Sequence, residues 1–297
     1  MILDSSIFDI PLINNVIVYE ETDSTNTRAK YFGQNGSVDG TLVLADTQTA
    51  GKGRLGRSFE SPNDGIYMSL MIKPHIDIRL ASMITIVTAT AVAKALMQLD
   101  IPGISIKWPN DILINNRKCI GILSELSTAP INEPKIKGCA DLPSAISSYT
   151  DNDSQVKFIV IGIGINVNNR NFSDKLSNKA TSLMLETGRT YDKEAIIHAI
   201  LTSLDKYINI FLKDGGLQSI VDDYNELLAC TQKDIYIIPH ELTEACPNTY
   251  ELPDSLIKKY ELTPYKCIGI NEYGELLYQT SDGNIDKINS GEVSIRN

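Results

Sequence analysis

The residues Gln48-Thr49-Ala50-Gly51-Lys52-Gly53-Arg54-Leu55-Gly56-Arg57 set three glycines and three cations within seven positions and no carboxylate among them, in a chain of formal net charge −10. Glycines let backbone N–H groups converge on a ligand, and clustered cations favour phosphate or carboxylate, so the stretch reads as an anion-binding loop. Gly51-x-Gly53-x-x-Gly56 also satisfies the dinucleotide fingerprint, but that motif needs a helix opening at the loop. The next residues are Ser58-Phe59-Glu60-Ser61-Pro62-Asn63-Asp64-Gly65, a turn-rich run that cannot be the first turns of a helix. No His-Arg-Asp or Asp-Phe-Gly occurs further on, which removes a kinase glycine loop. Two further segments carry chemistry. Lys107-Trp108-Pro109-Asn110-Asp111, with Arg117-Lys118 soon after, adds cations and amides. Gly162 and Gly164 lie two apart in an otherwise apolar run and so leave a flat slot on one face of a strand. Either a ligand or another backbone fills such a slot, and a ligand is favoured.

The elements that must position these residues can be read from periodicity. Val16–Tyr19, Thr41–Ala45 and Ile66–Ile72 read as strands, and Leu80–Leu99 as a buried helix. Asp23-Ser24-Thr25-Asn26 precedes a short helix ending near Gly33, where Ser24 and Thr25 either cap the helix or face a ligand. Asn115-Asn116 suits a type I′ hairpin that would pair Leu113 with Lys118 and Asp111 with Ile120. Residues 127–155 are rich in Pro, Ser, Asn and Asp and read as a surface insertion. Val156–Val167 is nearly all apolar, as expected of a central strand covered on both faces. Helices over Lys193–Lys213, with Asp192 as cap, and Leu217–Ala229 come next. Short strands at Ile235–Ile238, Tyr265–Ile270, Leu276–Gln279, Ile285–Ile288 and Val293–Ile295 then predict a small β-barrel interrupted by a polar loop over 240–262.

Composition bounds the answer. A chain of 297 residues, 42% hydrophobic, buries a full core with room for one large and one small domain. The acidic balance argues against bulk nucleic-acid binding. Five scattered cysteines with no C-x-x-C pair predict a reducing compartment and neither a disulfide framework nor a zinc site. Three isolated histidines argue against a triad or a histidine metal site. The N-terminus lacks signal-peptide features, and the apolar stretch 80–93 is short and studded with hydroxyls, so a cytoplasmic protein with no membrane segment is expected.

Taken together and in order, Asp23-Ser24-Thr25-Asn26, the Gln48–Arg57 loop, Lys107-Trp108-Pro109-Asn110-Asp111 and Gly162-Ile163-Gly164-Ile165-Asn166 resemble biotin protein ligase, also called holocarboxylase synthetase. The resemblance covers residues 14–230 well and the C-terminal part more loosely, through Gly291-Glu292-Val293-Ser294-Ile295. It implies an α+β fold: a mixed-sheet catalytic domain like that of class II aminoacyl-tRNA synthetases over 1–232, and an SH3-like barrel over 233–297. It also implies a two-step reaction. The biotin carboxylate attacks the α-phosphate of ATP to give biotinyl-adenylate and pyrophosphate, and a lysine of a biotin carboxyl carrier domain then displaces AMP. Neither step needs an enzyme nucleophile, consistent with the lack of a Ser-His-Asp or Cys-His constellation.

By the same resemblance, Ser24, Thr25, Asn26, Gln48, Gly51, Lys52 and Gly53 would bind biotin, with Gly162 and Gly164 as the strand face under its rings. Arg54 would close over biotin and adenylate, Lys107 would stabilise the transition state, and Lys118 would meet the biotin carboxylate. Arg57, Phe59, Asn110, Asp111 and Asn166 would contact the nucleotide, with Asp111 orienting a Mg²⁺ that comes mainly on the phosphates. Lys52 stands where arginine is commoner and loses the bidentate fork; Phe59 stands where Trp is frequent and keeps the stacking face. Too little chain precedes Asp23 for a winged-helix domain, so no DNA binding is expected, while a homodimer stays open. Lipoate–protein ligase is the nearest rival reading, and a non-catalytic biotin-binding protein of the same fold is the other.

Overall fold

The computed structural model describes residues 9–130, 154–238, 242 and 252–296. β1 (Asn15–Thr22), α1 (Thr25–Gln34) and β2 (Thr41–Gln48) make a βαβ unit with β1 and β2 parallel; every other strand pair in this sheet is antiparallel. β3 (Ile66–Ile72), β4 (Ile104–Lys107), β5 (Asp111–Ile114), β6 (Arg117–Pro130) and β7 (Ser154–Ile165) complete a mixed seven-stranded sheet in the order β1-β2-β3-β7-β6-β5-β4. β7 is the middle of the group that carries the site, flanked by β3 and β6. α1 covers one face over Ala29, Val43, Met71, Phe158 and Val160. The other face carries the main core, into which α2 (Ile84–Gln98) and α4 (Lys193–Asp214) pack. The segments Ile78–Gln98 and Lys193–Asp214 are long and apolar enough to cross a membrane by length and composition, and here they bury their apolar sides in this core.

The long helix expected over Leu80–Leu99 is split. A 3-10 segment over Ile78–Met83 is capped by Asp77, whose carboxylate accepts from the Arg79 N–H at 2.9 Å, and α2 begins only at Ile84. The buried hydroxyls of Thr88 and Thr90 donate back to the carbonyls of Ile84 and Ile86 (2.7 and 2.9 Å), which lets threonines sit in an apolar helix. Asn115 and Asn116 adopt positive φ (49° and 66°) and make the tight β5–β6 turn. Leu113 pairs with Lys118 as expected, but Asp111 faces Gly121 rather than Ile120, because a bulge between Ile112 and Leu113 shifts the register. The first residues of the expected surface insertion are strand instead: Ser127–Pro130 pairs with Ser154–Phe158 through main-chain bonds that an irregular side-chain pattern does not announce. The remainder of the predicted 127–155 insertion, with Cys139, lies outside the described residues.

α3 (Leu183–Thr187) and α5 (Val221–Leu227) precede a second sheet of five antiparallel strands. Its members are β8 (Asp234–Ile238), β9 (Pro264–Ile270), β10 (Leu276–Gln279), β11 (Ile285–Ile288) and β12 (Glu292–Arg296), ordered β11-β10-β9-β8-β12. The stretch read as a polar loop over 240–262 contains a short helix, α6 (Asp254–Lys259), whose Leu256 and Ile257 pack on Tyr236, Ile238 and Leu252. The two sheets share one core: Ile235, Cys267, Ile270, Leu276, Val293 and Ile295 join the cluster that contains α2 and α4. Trp108 Nε1–H donates to the Gly274 carbonyl at 3.1 Å across the seam. Arg57 and Glu292 form a two-pronged ion pair across it.

Candidate active site

A cavity of about 210 Å³ opens on the α1 side of the sheet, over Gly121–Leu123 of β6 and Gly162–Gly164 of β7. One end is a closed hydrogen-bond network. Gln48 Oε1 accepts from the Thr25 backbone N–H (2.8 Å) and its hydroxyl (3.1 Å), and Gln48 Nε2 donates to Ser61 Oγ at 2.8 Å. Ser61 donates in turn to the Phe59 carbonyl at 2.9 Å, which ties the network to the glycine loop. Ser69 Oγ lies 2.8 Å from Thr25 Oγ1 and 2.6 Å from Asn26 Oδ1. Asn26 Nδ2 donates to the Leu123 carbonyl (3.2 Å) and Glu125 Oε2 (3.0 Å). Burial pushes the Glu125 carboxyl up, but hydrogen bonds from Asn26 and Lys30 and the charges of Lys30 and Lys52 outweigh it and leave the pKa below the ordinary value. Ser24 occupies the N-cap position of α1, yet its side chain makes no capping bond and faces the cavity instead.

The glycine slot on β7 is filled neither by a backbone nor by open space. A Cβ on Gly162 would sit 1.9 Å from Asn26 Oδ1, and one on Gly164 would sit 2.8 Å from the Phe59 ring. The slot is therefore what allows Asn26 and Phe59 to reach their places. Gly51 is buried beneath the Phe59 carbonyl and Ser61, outside the cavity wall. The loop itself closes as a narrow turn. Gly53 N–H donates to the Arg57 carbonyl at 2.7 Å, Phe59 N–H to the Gly51 carbonyl at 2.9 Å, and Gly56 takes a φ of 73°. No α-helix starts there, in keeping with the exclusion of a dinucleotide fold.

The cations gather at the second wall. β4 and β5 set Lys107 directly opposite Asp111. Lys118 Nζ pairs with Asp111 Oδ1 at 2.7 Å, and Asn110 Nδ2 donates to the same oxygen at 3.1 Å. Arg54 Nη1 donates to Asn110 Oδ1 at 2.8 Å and Arg54 Nη2 to the Gly291 carbonyl at 3.4 Å, so this loop arginine is tethered to both sheets. Lys107 is 7% exposed and lies behind the wall rather than on it. Burial pulls its pKa from the ordinary 10.5 to about 8, opposed by the carboxylates of Asp111 and Glu292 and assisted by Lys118 and Arg57. Ser24, Thr25, Asn26, Gln48, Lys52, Gly53, Arg54, Arg57, Phe59, Asn110, Asp111, Lys118, Gly162, Gly164 and Asn166 all line the cavity.

Several lining or bracing residues escaped the sequence reading. Ser69, Ser61 and Glu125 complete the first network, and only Ser69 had a local signal, as a small polar residue inside the apolar run Ile66–Ile72. Asn169, Phe172 and Leu176 line the far end from the aperiodic stretch after β7. Glu292 holds Arg57 from 235 residues away, a separation that leaves no sequence pattern. Glu186 accepts from Asn115 Nδ2 (2.7 Å), Arg117 Nη2 (2.5 Å) and Thr181 Oγ1 (2.5 Å). Beside that knot, Lys118 N–H donates to the Lys179 carbonyl at 2.9 Å and Thr181 N–H to the Lys118 carbonyl at 2.8 Å. The backbone under Lys118 is thereby fixed to the loop that forms the far wall.

A seven-stranded mixed sheet with a small antiparallel sheet against it, a polar pocket at one end and a cation cluster at its side define an acyl-adenylating type of site. Comparison with known proteins agrees: residues 18–133 match the biotin/lipoate A/B protein ligase family. The bifunctional ligase/repressor BirA of Bacillus subtilis is 33% identical over 287 residues, covering 95% of this chain and 74% of that protein. The biotin–[acetyl-CoA-carboxylase] ligase of Paracoccus denitrificans is 29% identical over 193 residues, covering 63% of this chain and 70% of its own length. Among solved structures, biotin protein ligase from Aquifex aeolicus in complex with biotin and ATP superposes with a TM-score of 0.71 at 26% identity, over 96% of this chain and 99% of that one. The chain belongs to the biotin/lipoate A/B protein ligase family, and within it to the biotin protein ligases.

Proposed function

We propose that this protein is an ATP-dependent biotin–protein ligase that makes biotinyl-adenylate and passes the biotinyl group to a lysine of a carrier domain in a biotin-dependent carboxylase. The observation that carries the reading is the meeting of two unlike walls in one cavity. One holds the hydrogen-bond groups of Thr25, Asn26 and Gln48 in fixed orientation, as an uncharged ureido ring requires; the other gathers Arg54, Arg57 and Lys118, with Lys107 buried behind it. In the first step the biotin carboxylate attacks the α-phosphate, the bond to the bridging oxygen breaks, and pyrophosphate leaves with the electron pair. Charge builds on phosphate oxygens, and preorganised cations at that point lower the barrier without a covalent enzyme intermediate. Lys107, already dehydrated behind the cation wall, adds its poorly screened charge from there, and Lys118 would meet the carboxylate end. Arg54, which lines the cavity and is tethered to Asn110 and Gly291, would keep water from the mixed anhydride. In the second step the acceptor amine attacks the acyl carbon and AMP departs.

For Mg²⁺ the residues present do not form a cage. Among the described residues no three His, Cys, Asp or Glu side chains cluster in a metal-holding group, and Asp111 is already taken by Lys118 and Asn110. A metal ion that arrives with ATP is held by the phosphates in this reading. The small sheet is read as an SH3-like barrel, and the cytoplasm as the place of work. The direct test is to incubate the protein with biotin, ATP and a biotin carboxyl carrier domain and weigh the carrier. One biotinyl addition on a single lysine, with AMP released, is expected. Addition of lipoate in place of biotin would refute the specificity, and no addition with either would favour a binding protein.

A further inference from the structure

At the α1 end of the cavity the hydrogen-bond chain is one proton short, and Glu125 is the residue that keeps it so. Asn26 Nδ2 lies 3.0 Å from Glu125 Oε2 and 3.2 Å from the Leu123 carbonyl. Both neighbours only accept, so both amide hydrogens are committed and the amide cannot be turned over. Asn26 Oδ1 is therefore the atom that meets Ser69 Oγ at 2.6 Å, and it has no hydrogen to give. Ser69, fully buried, must place its one proton there. Its 2.8 Å contact with Thr25 Oγ1 then needs the Thr25 proton. Thr25 has a second taker for that proton, Gln48 Oε1 at 3.1 Å. Gln48 is fixed as well, because its Oε1 accepts from the Thr25 N–H at 2.8 Å and its Nε2 donates to Ser61 at 2.8 Å. Two hydroxyl protons thus serve three close oxygen contacts, and one contact stays unfilled whichever way Thr25 turns.

Glu125 accepts and does nothing else. The bonds and charges around its carboxyl outweigh its burial and hold it ionised at neutral pH, and Lys30 Nζ pairs with its other oxygen, Oε1, at 3.2 Å. A neutral amide in its place would offer an N–H to Asn26 Oδ1. The Asn26 side chain could then turn over, and its own NH₂ would fill the vacancy at Ser69 from inside the wall; a carboxylate forbids this. We propose that Glu125 is a positioning residue that acts through Asn26 and Ser69 to keep Thr25 and Gln48 short of a donor, so that this corner takes a ring N–H and passes over rings without one. Thr25 and Gln48 both line the cavity. A ureido ring brings N–H donors, whereas a dithiolane ring brings none. The inference rests on the biotin reading of the site and adds to it the residue that fixes the proton order of the wall.

The test is biotin calorimetry and biotin-dependent pyrophosphate exchange on wild type, Glu125→Gln, Ser69→Ala, the double variant and Lys30→Met. Glu125→Gln keeps the shape of the side chain and should raise the Kd and the KM for biotin about 5- to 30-fold, the scale of one ligand hydrogen bond. Its kcat at saturating biotin and its KM for ATP should stay at wild-type values. Ser69→Ala leaves the Thr25 proton to Gln48 alone, so it should lose a similar factor. Glu125→Gln added to it should then weaken biotin by less than about 2-fold more, because both changes act on one chain. Lys30→Met removes the ion pair and keeps the acceptor, and should leave the biotin KM unchanged. Losses that multiply in the double variant overturn the inference, as does wild-type biotin affinity in Glu125→Gln. An equal loss in Lys30→Met, which would make the ion pair the cause, or a Glu125→Gln effect confined to kcat, overturns it too. Lipoate binding by wild type with no biotin binding would sink the biotin reading itself, and the inference with it.

Discussion

Raising the pH should switch off adenylation through Lys107 while making the fold more stable. Lys107 titrates near 8 in the folded chain against an ordinary 10.5. The gap corresponds to about 3 kcal/mol, at about 1.36 kcal/mol per unit, spent holding a charged amine in its pocket. In the free enzyme the charged form is lost above pH 8, so kcat/KM for ATP in pyrophosphate exchange should fall about tenfold per unit beyond that point. The stability sign runs the other way. Below pH 8 both states carry the proton and the penalty is fully present; between about 8 and 10.5 only the unfolded chain binds it, so this group's contribution to stability rises with pH. Lys107→Met removes the penalty and leaves Asp111 with Lys118 and Glu292 with Arg57. That variant should lack exchange activity yet unfold at pH 7 in more urea than wild type, by about 1–3 kcal/mol. Glu292→Gln removes one of the two carboxylates that hold the Lys107 pKa up, and should move the activity limb to lower pH. Exchange rates from about pH 6 to 9.5 and urea midpoints at both ends of the titration supply the data. A kcat/KM profile flat across that range, or a Lys107→Met protein clearly less stable than wild type at neutral pH, would refute the reasoning.

Other substitutions probe the remaining parts of the site. Gly162→Ala places a methyl 1.9 Å from Asn26 Oδ1 and must displace Asn26 from Ser69 and Glu125; biotin affinity by calorimetry should drop about tenfold or more, with ATP affinity little changed. Arg54→Gly cuts the tether to Asn110 and Gly291, so adenylate should escape and label lysines of added bystander protein, read by avidin blot; adenylate retention equal to wild type would contradict the lid role. Glu186→Ala unties Asn115, Arg117 and Thr181 and should destabilise the fold by about 2–4 kcal/mol in urea titration, since three donors lose one buried carboxylate.

Where residues interact locally, the sequence was legible. The Asn-Asn turn, the all-apolar β7 and the strand limits of β3, β10 and β11 come from side-chain period and turn chemistry. The bulge that sets Asp111 opposite Gly121 was not, because one extra residue leaves the apolar pattern of β5 and β6 intact. The cation wall was legible as a composition, since Arg54, Lys107 and Lys118 lie in glycine- and amide-rich runs that do not read as core. Its partners were not: Arg57 meets Glu292 and Arg54 meets Gly291 only after both sheets pack on one core. The slot at Gly162 and Gly164 was seen as space, while its occupants, Asn26 and Phe59, come from segments far upstream in the chain. Asn169 was invisible for a different reason: it lies in the aperiodic stretch after β7, where no period marks which side chains line a cavity.

The central claim is that this cavity joins a carboxylate to the α-phosphate of ATP, and the most direct measurement is isotope exchange between labelled pyrophosphate and ATP. Exchange should depend on added biotin, gain nothing from lipoate, and disappear in Lys107→Ala while the variant keeps the wild-type circular dichroism spectrum. Exchange supported by lipoate but not biotin, or full exchange in Lys107→Ala, would contradict it.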